Sequence, residues 1–206
     1  MREKYYILEN ETYKFLWFVV PKCGSRSIRD HFKNLGEKLS VEKFRQFGES
    51  TSLNHFKFTF VRNPWNRLVS TWRDKINFEG RDLKYVNGYY KPYINCEFGE
   101  FIKLVRDDKI KATYEGNVVE RHVQQQIKLI PIDKVDFIGR LEKFQVDFDN
   151  ICDRLHIPRQ KLPRKNTSAW RDGNKHYTEY YDDETRQIVA EKFARDIEHF
   201  GYEYGE

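Results

Sequence analysis

The segment Pro21–Ser27 (PKCGSRS) carries residue types that bind phosphate groups. Gly24 lets the backbone approach an anion closely, and Lys22 adds a mobile positive charge. If a helix begins here, its free N–H groups and its dipole favour negative charge. The pattern G-x-x-x-x-G-K-[ST] of P-loop kinases is absent, because Lys22 precedes the glycine. The segment therefore indicates a phosphate-binding loop of another kind, with an ordinary strand–helix turn as the alternative.

A second motif, Val61–Ser70 (VRNPWNRLVS), places an arginine and a serine where they could hold another phosphate. Arg62 follows a predicted strand, and ligands of open α/β sheets bind at the carboxyl ends of strands. Ser70 lies two turns into the predicted helix, and its hydroxyl could join the arginine fork in gripping a phosphate. Arg67 and Arg73 are expected on the solvated face of this helix as surface charges.

Two strand–loop–helix units position these motifs. Lys14–Val20 (KFLWFVV) is apolar enough for a buried strand, and Ser25 can cap the helix that follows, which Gly36 ends. Phe56–Val61 is a second strand, and Pro64 suits the start of a second helix. The apolar faces of the two helices are Ile28, Phe32 and Leu35, and Trp65, Leu68, Val69, Trp72 and Ile76. Repeated units of this kind predict a central parallel sheet with flanking helices.

The rest of the chain predicts further elements of one α/β domain covering residues 1–206. A third strand is expected at Val135–Ile138 and a long loop, a candidate acceptor edge, at Glu79–Asn95. Helices are expected around Phe98–Val105, over Leu141–Leu155 and around Ile188–Phe200, and a basic loop over His156–Gly173.

Composition excludes several classes of protein. The chain has 206 residues and a net charge of +5, a mild basic excess that fits an anionic ligand. Cys23, Cys96 and Cys152 stand far apart, so neither a disulfide framework nor a zinc site is predicted, and no metal is expected. The apolar run Phe15–Pro21 is too short to span a bilayer. Residues Met1–Lys4 show no signal-peptide pattern, and we expect a cytoplasmic protein.

Together the two motifs resemble those of the sulfotransferase superfamily, in the form typical of carbohydrate sulfotransferases. The first resembles its 5′-phosphosulfate loop and the second its 3′-phosphate motif. Similar stretches also occur at Glu120–Gln126 (ERHVQQQ), Phe137–Phe144 (FIGRLEKF) and Leu162–Ser168 (LPRKNTS). The resemblance covers nearly the whole chain.

This resemblance implies transfer of a sulfuryl group from 3′-phosphoadenosine 5′-phosphosulfate (PAPS) to an acceptor hydroxyl on a carbohydrate. Adenosine 3′,5′-bisphosphate would be the product, and no metal would be needed. Lys22 would stabilise charge on the leaving phosphate, and Arg62 with Ser70 would hold the 3′-phosphate. The remaining residues implied in the P-loop-like phosphosulfate-binding loop are Cys23, Gly24, Ser25, Arg26 and Ser27.

The general base is left open between several residues. The family uses His or Glu, but Leu39–Ser52 contains no histidine. His122 is the first candidate, His55 the second, and Glu42 or Glu49 the third.

Two other functions compete with the resemblance. A kinase would need a lysine after the glycine and acidic Mg²⁺ ligands, which the sequence does not show. A non-catalytic module for nucleic acid or glycan could use the basic and aromatic segments Tyr85–Tyr93 or Arg159–Trp170. We expect no nucleic-acid partner.

Overall fold

The structure is a computed structural model that describes residues 4–46, 54–77, 88–110, 113–114, 117–118, 121–162 and 175–206. The chain forms two compact units, and each is built from two separate stretches. The sheet unit comprises Met1–Arg62 with Gln126–Asn166, and the helical unit comprises Asn63–Gln125 with Thr167–Glu206. A single domain over residues 1–206 stays a prediction.

The described residues form helices and strands of the α/β class, as predicted. The strands are β1 (Lys4–Asn10), β2 (Phe15–Phe18), β3 (Ser40–Gln46), β4 (Phe56–Val61), β5 (Thr113–Tyr114), β6 (Asn117–Val118) and β7 (Phe137–Arg140). The helices are α1 (Ser25–Asn34), α2 (Pro64–Lys75), α3 (Phe98–Arg106), α4 (Phe144–Leu155), α5 (Asp183–Lys192) and α6 (Ala194–Phe200).

The sheet unit contains a five-stranded sheet in the order β3-β1-β2-β4-β7. Strands β2, β4 and β7 are parallel, which confirms the predicted centre of the sheet. The antiparallel strands β1 and β3 were not predicted. The turn from β1 to β2 lacks the Asn-Gly or Asp-Gly pair that marks a hairpin in a sequence. Instead, the backbone N–H of Tyr13 donates to Asn10 Oδ1 at 2.7 Å, and Lys14 has a φ of 51°.

Several predicted boundaries need correction. Strand β2 occupies only the centre of the predicted Lys14–Val20, and β7 lies two residues beyond the predicted Val135–Ile138. Helix α1 begins at Ser25, but its N-cap is Gly24 in the left-handed conformation, without a side-chain cap. The predicted capping role of Ser25 is therefore wrong.

Aromatic rings fill the core of the sheet unit. Phe58 on β4 lies 5.3 Å from the ring of Phe15 and stacks on Trp17 at 6.0 Å. Phe60 meets the ring of Phe144 edge-on at 5.3 Å, which fastens the start of α4 to the sheet. Each such pair contributes about 0.5 to 1.5 kcal/mol beyond the burial of its area. These aromatic contacts hold β2 and β4 in place, and these are the two strands that lead into the candidate motifs.

The helical unit has its own core between α2, α3 and α5. The helical face predicted for Phe98–Val105 is confirmed, since its four apolar side chains are buried. The predicted last helix is interrupted at Phe193, which separates α5 from α6. Of the predicted loop Glu79–Asn95 only residues 88–95 are described, with a 3-10 helix at Gly88–Tyr93. Of the predicted basic loop His156–Gly173, residues 163–173 lie outside the described part.

Within the described residues, every helix is too short or too polar to cross a lipid bilayer.

His31 is a buried titratable group. It keeps 1% of its surface exposed, and neither of its buried ring nitrogens forms a hydrogen bond with the residues that the structure describes. The imidazole packs edge-on against Phe32 and Phe148, at 5.4 and 4.8 Å between ring centroids. Burial lowers the pKa of His31 below its ordinary value, although the charge of Asp149 acts in the opposite direction.

We expect the His31→Phe variant to lose less stability in mild acid than the wild type does. As the pH falls below about 6.5, the unfolded chain takes up a proton at His31 before the folded chain does. The free energy of unfolding of the wild type should therefore fall until the lower folded pKa is passed, and that of the variant should fall less. Urea unfolding between about pH 7 and pH 5 measures this. The exposed His199 provides a control, since His199→Gln should follow the wild type; parallel curves for His31→Phe and wild type would refute the prediction.

Candidate functional site

The loop after β2 has a backbone suited to an anion. Lys22 and Gly24 adopt positive φ angles of 72° and 82°, and α1 begins directly afterwards. Turns of this kind, at the start of a helix, gather backbone N–H groups with a favourable dipole. The first turn of α1 contains no acidic residue that would repel an anion. Lys22 is half-buried, Cys23 and Ser27 are buried, and Arg26 is exposed.

Gly24 cannot be replaced without moving its neighbours. A Cβ atom at this position would overlap the ring of Phe144 and lie 3.1 Å from Leu141 Cδ1. Its positive φ would also strain any other L-residue. The glycine predicted for a close backbone approach is thus required by the packing of α4 against the loop.

Gln126 joins this loop to the end of β4. Its side chain is fully buried, and Nε2 donates to the carbonyl of Arg62 at 2.8 Å. Its Oε1 accepts from the N–H of Arg62 at 3.0 Å and from the thiol of Cys23 at 3.4 Å. One amide therefore fixes the backbone at Arg62 and the position of Cys23.

The side chain of Arg62 also reaches the loop. Arg62 Nη1 donates to the carbonyl of Lys22 at 3.3 Å. The sheet unit therefore brings together Arg62 and the loop that contains Lys22–Ser27. Gln126 was not among the predicted site residues, although it lies in the segment Glu120–Gln126 on which part of the resemblance rests.

In the helical unit, α2 begins as the sequence predicts. Pro64 is in its first turn, and Asn63 Oδ1 accepts from the N–H groups of Trp65 and Asn66. Ser70 lies on α2 and is half-buried. Because Arg62 belongs to the sheet unit, the pairing of Arg62 with Ser70 at a 3′-phosphate stays a prediction.

The prediction that Arg67 is a surface charge is wrong. Its surface is 0% exposed, and Nη1 and Nη2 donate to the carbonyls of Gln124 and Arg121 at 2.8 and 2.7 Å. One turn later on the same face, the hydroxyl of Thr71 lies 3.3 Å from the carbonyl of His122. A buried arginine is tolerated where carbonyl oxygens satisfy its donors. Arg67 therefore holds the backbone on both sides of His122.

Arg73 also differs from its predicted place on a solvated face. It is half-buried, and Nη2 donates to the Tyr180 hydroxyl at 2.6 Å and to the Lys175 carbonyl at 3.2 Å. Its guanidinium lies over the Tyr180 ring at 4.6 Å.

The four candidates for the general base lie in different parts of the chain. His55 precedes β4, whereas Arg62 follows it, and seven residues of extended chain span roughly 20 Å. This separation disfavours His55 as a base acting beside Lys22 and Arg62, and its role stays a prediction. His122 lies in the helical unit and is half-buried, and its role stays a prediction. Glu49 and the side chain of Glu42 lie outside the described residues.

Comparison with known protein families identifies the family of this chain. The model of the sulfotransferase family matches residues 5–203, which is nearly the whole chain. This chain belongs to the sulfotransferase family. The resemblance drawn from its two motifs is thereby confirmed at the level of the family.

Individual relatives of this sulfotransferase-family chain are distant. It is 24% identical to carbohydrate sulfotransferase 14 of Danio rerio, over 96% of this chain and 62% of that protein. It is 25% identical to carbohydrate sulfotransferase 12 of Mus musculus, over 70% of this chain and 42% of the relative. For carbohydrate sulfotransferase 9 of Homo sapiens the identity is 24%, over 95% and 53% of the two chains. The chain thus spans about half the length of these relatives. No solved structure matches it significantly.

We expect Gln126→Leu to destabilise the protein by about 2 to 4 kcal/mol, because it removes three hydrogen bonds worth roughly 0.5 to 1.5 kcal/mol each, two to the Arg62 backbone and one from the Cys23 thiol. Lys128→Leu is the matched control, since Lys128 is exposed on the same short helix and its replacement should cost less than about 0.5 kcal/mol. Urea unfolding of both variants measures the difference. Equal stability of the two variants would show that the Gln126 amide does not fasten the loop.

Proposed function

We propose that this chain transfers a sulfuryl group from PAPS to a hydroxyl group of a carbohydrate. The observation that carries the proposal is the fixed geometry around the loop Pro21–Ser27. Lys22, the start of α1 and the guanidinium of Arg62 converge there, with the Gln126 amide holding the loop to Arg62. Cationic and N–H donors held in this way suit a nucleotide with two phosphate groups, with Lys22 and the helix start at the 5′-phosphosulfate and Arg62 at the 3′-phosphate.

The reaction can be assigned to particular atoms. The acceptor oxygen bonds to sulfur as the bond between sulfur and the bridging oxygen breaks, and the acceptor hydroxyl gives its proton to the general base, for which His122 is proposed. The electron pair of the broken bond moves to the 5′-phosphate, which leaves as part of adenosine 3′,5′-bisphosphate. Lys22 and the N–H groups at the start of α1 stabilise this growing negative charge, and they need no reorganisation to do so. The backbone carbonyls flanking His122 are held by Arg67, so a proton acceptor at this position would be well oriented.

The donor and the acceptor rest on different arguments. Arg62 and Ser70 are proposed to hold the 3′-phosphate, which would distinguish PAPS from ATP. The carbohydrate acceptor is proposed because the relatives are named carbohydrate sulfotransferases. A kinase is disfavoured by the order of Lys22 and Gly24, which is the reverse of the P-loop order.

Transfer of radioactive sulfate from PAPS to a panel of oligosaccharides tests the proposal. We expect turnover by the wild type and a loss of about a hundredfold to a thousandfold in Lys22→Ala, the usual effect of removing a charge-stabilising donor. Lys33→Ala changes an exposed lysine at the other end of α1 and should leave turnover unchanged. His122→Ala should lower kcat by about a hundredfold to ten-thousandfold with an unchanged KM for PAPS, if His122 is the base.

Each unfavourable outcome has a distinct meaning. Phosphoryl transfer from ATP with Mg²⁺, without sulfuryl transfer, would favour the kinase. Full turnover in Lys22→Ala would remove Lys22 from the mechanism. A raised KM with unchanged kcat in His122→Ala would assign this residue to binding and not to proton transfer.

A further inference from the structure

The sheet unit holds a second cluster of titratable side chains, formed by Glu9, Glu11 and His55. Glu9 lies near the end of β1, Glu11 in the turn that follows, and His55 immediately before β4. Glu9 and His55 keep only 6% and 9% of their surface exposed, whereas the side chain of Glu11 is 74% exposed. The transfer chemistry proposed above uses none of these residues.

The imidazole of His55 points at both carboxylates. Its Nε2 lies 3.3 Å from Glu11 Oε2 and 3.8 Å from Glu9 Oε1. The three side chains offer ligand atoms that all lie within 4.8 Å of one another. Nevertheless, Nε2 is buried and forms no hydrogen bond with the part of the chain that the structure describes. A buried ring nitrogen requires a polar partner. In this geometry neither carboxylate forms a hydrogen bond with Nε2.

We propose that Glu9, Glu11 and His55 bind a divalent cation, and that Zn²⁺ fits them best. Zn²⁺ accepts imidazole nitrogen and carboxylate oxygen at about 2.0 to 2.2 Å in a tetrahedral arrangement. Those bond lengths place the ligand atoms roughly 3.3 to 3.5 Å from one another. The separation of 3.3 Å between His55 and Glu11 already meets this, whereas Glu9, at 3.8 Å from His55 and within 4.8 Å of Glu11, must move inward. Three protein ligands leave the fourth position to water.

The charges of the cluster favour the same occupant. Two carboxylates lie within 4.8 Å of each other beside the imidazole, and one of them, Glu9, is almost wholly buried. A cation between them would offset their repulsion and give His55 Nε2 a lone-pair acceptor. The amine of Lys57 donates to the backbone carbonyl of His55 at 2.8 Å.

The position of the cluster indicates what the cation does. Strand β4 runs from His55 toward Arg62, so the cluster lies at the opposite end of this strand from the proposed phosphosulfate loop. The cation is therefore structural: it ties the turn between β1 and β2 to the entry of β4.

Metal titration of chelator-treated protein tests this inference independently of sulfuryl transfer. We expect calorimetry to give one Zn²⁺ per chain, and Co²⁺ to give the visible absorption of a tetrahedral site without thiolate charge-transfer bands. Glu11→Gln should weaken binding at least about tenfold, and His55→Gln more strongly. Because Glu11 is exposed, its variant should fold even if His55→Gln does not.

The matched control is Glu37→Gln. The carboxylate of Glu37 accepts from the Asn10 amide at 3.1 Å in the same unit but lies outside the cluster, so this variant should bind Zn²⁺ as the wild type does. The inference is overturned if the wild type binds no Zn²⁺, which would leave only the contact between the His55 ring and the Glu11 carboxylate. It is also overturned if Glu11→Gln binds as tightly as Glu37→Gln, or if Co²⁺ shows thiolate bands from the cysteines.

Discussion

The side-chain amide of Gln126 is the interaction on which the proposed donor site depends. An amide that accepts from one backbone N–H and donates to the carbonyl of the same residue fixes both the position and the direction of that residue. Here the residue is Arg62, and the same amide oxygen also accepts from the thiol of Cys23. Because the Gln126 side chain is fully buried, a bond broken at its amide leaves a polar atom that water cannot readily reach. The loop and the strand end are therefore held together strongly.

Buried polar side chains organise the helical unit in the same way. Arg67 carries a charge that is costly to bury, and two backbone carbonyls offset this cost. The hydrogen bonds of Arg67 hold residues 121–124 in the bend that contains His122. The buried charge of Arg67 thus gives residues 121–124, which form neither a helix nor a strand, a defined conformation. A candidate proton acceptor in such a segment needs that support, since rates depend on its orientation.

The sequence predicted the parts of the fold that local patterns control. Strand β4 follows from an apolar run and the start of α2 from Pro64, so their bounds were found correctly. Strand β3 was not found, because its sequence SVEKFRQ has no strict alternation and its place is set by pairing with β1. Arg67 was misplaced because its burial depends on carbonyls more than fifty residues away, which no local pattern shows. Gln126 was overlooked for the same reason, although the motifs it joins were both recognised. The cluster of Glu9 and His55 likewise forms only when the strands of the sheet are assembled.

A crystal structure with adenosine 3′,5′-bisphosphate tests the central claim most directly. We expect the 5′-phosphate on the backbone N–H groups of residues 24–27, beside the amine of Lys22. The Gln126 amide should still bond to Arg62, and the 3′-phosphate should meet the Arg62 guanidinium. A nucleotide bound elsewhere on the chain, with the loop Pro21–Ser27 free of phosphate, would contradict the account.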